Sequence, residues 1–289
     1  MDFSLLLTIV MDGVIMGTIY AMVGLGLSLV WSLMGILNFA HYNFILIAAY
    51  LCVLTFSFIP NPYLAAIVAL ALLAGIGLVT YRGLITPVFK FGVDAAMMNT
   101  FALSYFLAIC VLMIAGPNYR SGVALFPSSL QVFLPFGIEY SAYRIFAAVL
   151  AAVLVAGTII FIRKTMFGTA LRAAMQDTQA SVLVGIRLTS VTQWGFIIAI
   201  LLAGVAGIVV APMYTVFPTF VDRYAIISFT VALVGGIGNI EGVVPAGIVI
   251  GLTEALGSVY ISSPYKDAFI YAILIAILLI RPRGLLGRK

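Results

Sequence analysis

Between Gly13 and Tyr81 the chain carries no Asp, Glu, Lys or Arg. A helix crosses a bilayer core with about 20 mainly apolar residues, so this stretch alone has room for three crossings. The rest of the 289 residues follows suit: 64% are hydrophobic and 8% charged. A soluble domain carries about 25% charged residues. A water-facing enzyme and a disordered chain are therefore excluded. The formal net charge of +5 does not point to nucleic acid, because the basic residues are scattered and form no basic face. Apolar residues run consecutively rather than alternating, which excludes a membrane β-barrel and leaves helices to satisfy the backbone. The expected fold is an all-α polytopic membrane protein, a single transmembrane unit over 1–289. Cys52 and Cys110 lie in apolar runs and read as small buried residues, giving neither a disulfide framework nor a metal set.

Apolar segments are read at 5–32, 42–59, 63–81, 96–115, 143–162, 189–211, 224–237, 243–260 and 268–280. The seventh and ninth are short, so the expectation is about 8–9 spans with discontinuous or re-entrant helices. The opening Met-Asp has no basic n-region and reads as the start of a span rather than a cleavable signal. Positive charge favours the cytoplasmic side. With the N-terminus outside and the C-terminus inside, Arg82, Lys90, Arg163, Lys164, Arg172, Arg187, Arg281, Arg283, Arg288 and Lys289 fall in the cytoplasm. Arg120, Arg144, Arg223 and Lys266 fall outside. Residues 116–142, rich in Pro, Ser and Gly, read as an irregular external loop. Residues 163–187 form a cytoplasmic loop with good helix formers and no proline. The pattern predicts a short amphipathic helix there, closed by Gly185. It is either a surface-lying helix or a docking helix for a partner.

Polar residues inside the apolar zone are the candidate functional groups, because they must pair or face a cavity. GILNFAHYNF (35–44) gathers Asn38, His41, Tyr42 and Asn43. His41, the one histidine of the chain, cannot build a metal site alone. Three roles stay open for it: fixing a bend through a backbone carbonyl, lining a solute path, or relaying a proton. VGGIGNIEG (234–242) is a second interruption, but it matches no phosphate loop or dinucleotide fingerprint. Gly35-Ile36-Leu37-Asn38 and Gly236-Ile237-Gly238-Asn239 resemble each other, and paired Gly-interrupted segments point to the solute site of a transporter. Glu254 stands in an apolar helix as a functional carboxylate or as a structural partner. The pairs Gly13–Gly17 and Gly247–Gly251 suit close helix packing. No catalytic constellation can be assembled, and no voltage-sensor stripe or selectivity filter is present.

GTIYAMVGLGLSLVWSLMGILNFAHYNF (17–44) resembles the opening of the permeases of high-affinity branched-chain amino acid ABC importers, the H-type subunit, with their N-F-A-H motif. FGTALRAAMQDTQASVLVGI (167–186) is similar to the same family's coupling segment. VGGIGNIEGVVPAGIVIGLTEAL (234–256) and YKDAFIYAILIAILLIRPRGLLGR (265–288) are similar to its last third. The resemblance runs over almost the whole chain, in order. It departs at Tyr42, where the family has Gly after N-F-A-H.

The resemblance implies a permease of the branched-chain amino acid/ribose type in a bacterial or archaeal plasma (inner) membrane. A second homologous permease subunit, giving a heterodimer, is the implied partner within the bilayer. Two cytoplasmic ABC ATPases would dock on the 163–187 loop, and an external or periplasmic solute-binding protein would deliver substrate. It implies no enzyme activity or cofactor in this chain, with ATP and Mg on the partner ATPases, and no nucleic acid. Carried over by position, Asn38, Phe39, Ala40, His41 and Tyr42 fall on the substrate path, with Glu254 added as the intramembrane acid. Arg172, Gln176, Asp177, Ala180 and Gly185 fall on the ATPase-coupling segment. Leu/Ile/Val, urea, short amides and aromatic acids all stay open as solutes. The competing reading is an ion-coupled secondary transporter or channel using His41 and Glu254.

Overall fold

The computed structural model describes residues 3–135, 138–218, 221–236, 238–261, 265–281 and 284–286. The helices in chain order are α1 (Phe3–Met34), α2 (Asn43–Phe58), α3 (Pro62–Val79), α4 (Thr86–Phe89), α5 (Val93–Ala115), α6 (Ala142–Lys164), α7 (Met166–Gln176), α8 (Thr178–Leu183), α9 (Leu188–Val210), α10 (Asp222–Gly235), α11 (Val243–Tyr260) and α12 (Lys266–Ile280). A π-helical turn, Thr80–Ile85, joins α3 to α4. Each apolar segment read from the sequence falls on a helix. Among the described residues, six helical stretches are long and apolar enough to cross a membrane. Helices α2, α10 and α12 have 16, 14 and 15 residues, short of the roughly 20 that a straight crossing takes.

The loop 116–142 departs from the expected irregular form. It contains two short strands, β1 (Gln131–Leu134) and β2 (Ile138–Ser141), paired antiparallel with Val132 opposite Tyr140. Alternation in Gln-Val-Phe and Ile-Glu-Tyr is too brief to read as strand from sequence. Pairing leads the chain directly into α6.

Helix α1 is the axis of the molecule and packs against α6, α9, α10 and α11. From Ile19 to Val30 almost every side chain is fully buried. The closest crossing is with α11, where the two GxxxG pairs meet. A Cβ on Gly17 would lie 2.7 Å from the Ile248 Cα, and one on Gly251 would lie 2.2 Å from the Gly13 carbonyl oxygen. The backbones touch because neither side offers a side chain. Helix α9 is likewise buried along most of its length, while α5 and α6 leave most of their residues partly or fully exposed. Among helix starts, α3 is the best specified. The Asn61 side chain accepts from the amides of Tyr63 and Leu64 at 3.1 Å, and Pro62 follows at the first helical position.

The bundle has two opposite ends. At the end where α1 begins, Arg120 pairs its backbone with Val216, and Tyr140 reaches Asp12. At the other end, Arg163 meets Glu241, Arg82 donates to Gln193 at 2.8 Å, and the Leu285 amide donates to the Val234 carbonyl at 2.7 Å. The loops assigned to opposite sides by their charge thus sit at opposite ends.

Candidate functional site

The first break folds back along α1. Its turn begins at Gly35, whose φ is +65°, a conformation that costs glycine least. The Asn38 carboxamide then accepts from the Ala40 amide at 3.1 Å. Thr100 on α5 accepts from the Phe39 amide at 3.2 Å and donates to the Met97 carbonyl at 2.8 Å. Ser104, one turn on, accepts from the Asn43 carboxamide at 2.8 Å and shares a 2.8 Å bond with the Tyr42 hydroxyl. Two hydroxyls of α5 therefore hold the N-F-A-H-Y-N stretch. Tyr42 uses its phenol as one of these tethers.

His41 is buried at 1% exposure against the bare backbone of Gly26, where a Cβ would lie 2.9 Å from its Cε1. Among the described residues neither ring nitrogen makes a hydrogen bond. The Asn38 side-chain Nδ2 and the Asn43 side-chain Oδ1 are also buried without a protein partner among the described residues. Buried polar atoms of this kind are usually met by water or by a ligand. Ala40 is fully buried. Phe39 is half-buried between Phe101 and Phe229, with ring centroids at 5.7 and 5.5 Å.

The second break repeats the first in its chemistry. Gly236 has φ +100°, and the Asn239 carboxamide accepts from the amide two residues on, Glu241, at 3.1 Å. Both breaks thus share two devices: a positive-φ glycine that ends a helix and, three residues on, an Asn whose side chain accepts from the amide two residues ahead. The second break also reaches the end of α1, where Ser32 donates to the Gly238 carbonyl at 3.0 Å. Ile237 lies outside the described residues.

The segment expected as one amphipathic helix is two. Asp177 adopts an extended backbone that ends α7, and its carboxylate caps α8 by accepting from the Gln179 and Ala180 amides at 2.9 Å. An Asp competes with helix continuation wherever its side chain can reach following amides. Gly185, at φ +87°, closes α8 in a paired motif: the Ile186 amide donates to Ser181 and the Gly185 amide to Val182, both at 3.0 Å. Gly168, Leu171 and Ala174 face inward, while Arg172, Gln176, Asp177 and Ala180 are exposed. Arg172 and Gln176 border a cavity of about 510 Å³ between α6, α7 and the second break, beside the Arg163–Glu241 pair. Leu183 and Val184 stand out from it, 88% and 76% exposed. Asp177→Ala is expected to cost about 1 kcal/mol of local stability, read as roughly fivefold faster hydrogen exchange at the Gln179 and Ala180 amides.

Glu254 lies toward the end of the bundle where α1 begins, and both its oxygens are engaged. Tyr20 of α1 donates to one at 2.6 Å, and Arg223 of α10 donates to the other. Arg223 also donates to Asp267 at 2.8 Å. The charge pattern places Arg223 in an external loop, whereas it stands in the first turn of α10. A second cluster joins Asp12, Arg144 and Tyr140, with Arg144 donating to Asp12 at 2.6 Å. Burial and the Asp12 carboxylate push the Tyr140 hydroxyl well above its usual pKa. The available signal was that any carboxylate in an apolar helix demands a partner; what the sequence lacks is the partner's address. Among the described residues no three His, Cys, Asp or Glu could hold a metal ion.

Comparison with known proteins matches this architecture. The family profile described as "Branched-chain amino acid transport system / permease component" aligns with residues 9–278. The high-affinity branched-chain amino acid transport system permease protein LivH of Escherichia coli (strain K12) is 31% identical, over 96% of this chain and 94% of its own length. BraD of Pseudomonas aeruginosa, named for the same system, is 26% identical over 96% and 94%. A probable LivH of Methanocaldococcus jannaschii is 28% identical over 95% and 90%. Among solved structures, PsaBC from Streptococcus pneumoniae in complex with Fab superposes with a TM-score of 0.50 at 12% identity, covering 93% of this chain and 89% of that one, a likeness of fold alone. With the profile spanning nearly the whole bundle and relatives matched end to end, the chain belongs to the branched-chain amino acid transport system permease family.

Proposed function

We propose that the chain is the permease subunit of an ATP-driven importer of branched-chain amino acids or closely similar small solutes. The observation that carries the reading is the end-to-end family match over residues 9–278. The α7–α8 segment supports it, with exposed Arg172, Gln176, Leu183 and Val184 beside an open cavity. Two cytoplasmic ATPases, holding ATP and Mg, bind there. A solute-binding protein docks at the opposite end, over 116–142, and a second homologous permease completes the pathway. All nine apolar segments lie at membrane depth, α2, α10 and α12 as short or broken spans, with the N-terminus outside and the C-terminus inside. The N-F-A-H-Y turn (Asn38 to Tyr42) lines the path through its unpaired polar atoms, and Glu254 steadies that path. An ion-coupled mechanism gains nothing from Glu254, whose oxygens are occupied by Tyr20 and Arg223.

The test is purification and reconstitution with the ATPases that accompany the chain. Leucine uptake into vesicles should require ATP inside the compartment that holds α7–α8. Leu183→Asp with Val184→Asp should cut ATPase co-purification at least tenfold. Uptake by the lone chain without ATP, or labelling of a Leu183→Cys thiol by an impermeant reagent from outside the cell, overturns the reading.

A further inference from the structure

Beyond the Ser104 tether, α2 and α5, with Ile76 of α3, border an open cavity of about 260 Å³ at the end of the bundle where α1 begins. That is below the roughly 300–1,000 Å³ of pockets for drug-sized ligands, so it suits a small molecule. Its walls are aliphatic, from Leu51 on α2 and Leu107, Val111 and Ile114 on α5. Two polar groups interrupt them. Tyr50 is 7% exposed, lines the cavity, and its hydroxyl has no hydrogen-bond partner among the described residues. Arg120 stands over the Tyr50 ring, 6.0 Å from its centroid.

Arg120 is fixed in place. Its backbone bridges to Val216 in both directions at 2.9 and 3.0 Å, and one guanidinium nitrogen donates to the Ala115 carbonyl at 2.9 Å. It differs from the other two arginines at this end. Arg144 has Asp12, and Arg223 has Glu254 and Asp267. Among the described residues Arg120 has no carboxylate within ion-pair distance. A half-buried cation with spare donors, a buried hydroxyl lacking a partner, and an aliphatic chamber beneath them describe one ligand. We propose that this cavity is a binding site for a small carboxylate with a branched aliphatic body, Arg120 and Tyr50 taking the carboxylate and the α2–α5 walls the side chain. Arginine matches a carboxylate in geometry as well as charge. The site rests on the transport reading for its role, as the first contact of the delivered solute within this chain on its way to the Asn43–Ser104 level two turns deeper.

Cys110 lines the same cavity, while Cys52 is buried in the core. The rate of Cys110 alkylation by N-ethylmaleimide, in vesicles holding the chain with its co-purifying partners, reports occupancy. Leucine at millimolar concentration should slow it at least threefold; leucinamide, which lacks the carboxylate, should not. Arg120→Gln should remove the protection and Tyr50→Phe should weaken it, with Cys52 staying unlabelled as the sign of an intact fold. In parallel, Arg120→Gln should raise the half-saturating leucine concentration for uptake at least tenfold. An unchanged alkylation rate with leucine, protection that persists in Arg120→Gln, or protection by oleate and not leucine overturns the proposal. So does unchanged half-saturation in Arg120→Gln, even if Cys110 proves unreactive. Absence of leucine uptake by the wild-type assembly sinks the transport reading instead and leaves the labelling result standing.

Discussion

Gly251→Leu is expected to leave almost no folded protein in the membrane. The new Cβ alone would lie 2.2 Å from the Gly13 carbonyl oxygen and 2.5 Å from the Gly17 amide nitrogen. Both are backbone atoms of α1, so no rotamer change relieves the overlap. Overpacking against side chains costs about 1–3 kcal/mol, and more when the neighbour cannot yield. The only escape is to move α11 away from α1, which would empty the seam along both glycine pairs. Gly251→Ala should already lower thermal stability clearly, and the Leu variant should fail to give a monodisperse peak after detergent extraction. Gly75→Leu is the control: a Cβ at that position would meet no atom within 4 Å, and extraction should match wild type.

Arg223→Ala should be the most damaging removal of a charge. The side chains of Arg223 and Glu254 are 18% and 13% exposed, so the loss leaves the Glu254 carboxylate without its cation in poorly solvated surroundings, while Asp267, 45% exposed, keeps its water. Breaking a buried pair from one side typically costs about 3–5 kcal/mol. Glu254→Gln should cost less, because the amide oxygen can still accept from Tyr20 and Arg223 keeps Asp267. Arg144→Ala makes the contrast. Its pair with Asp12 is about a third exposed on both sides, and screening holds such pairs to roughly 1 kcal/mol or less. The order Arg223→Ala, Glu254→Gln, Arg144→Ala in the midpoint of heat-induced aggregation checks the argument. Equal midpoints for the first and last would refute it.

Most of the helical architecture was legible because burial in lipid leaves the chain few options. Long charge-free runs announce helices, and charges mark the ends of the bundle. The facing of Gly13–Gly17 with Gly247–Gly251 was half legible: each pair signals a close crossing, and only the fold says that they cross each other. Four features were beyond reach for specific reasons. Asp177 splits its helix because a short side-chain cap competes with the backbone ladder, a contest of small energies that helical periodicity does not register. The strands at 131–134 and 138–141 are too short to show a period. Arg223 and Glu254 are 31 positions apart, and nothing local in either stretch names the other. At the candidate path the residue types were visible, but Thr100 and Ser104 were not, since a hydroxyl on an apolar helix ordinarily just bonds its own preceding turn.

The glycine seam has a mechanical consequence. Backbone pressed on backbone leaves α1 and α11 no compliant layer between them, so they must travel as one spar. Across the molecule, α5 grips the first break mainly through two hydroxyls, contacts that can be let go and remade at little energetic cost. Any opening stroke should therefore hinge on the α5 flank, with the α1–α11 pair as the stationary post against which it swings.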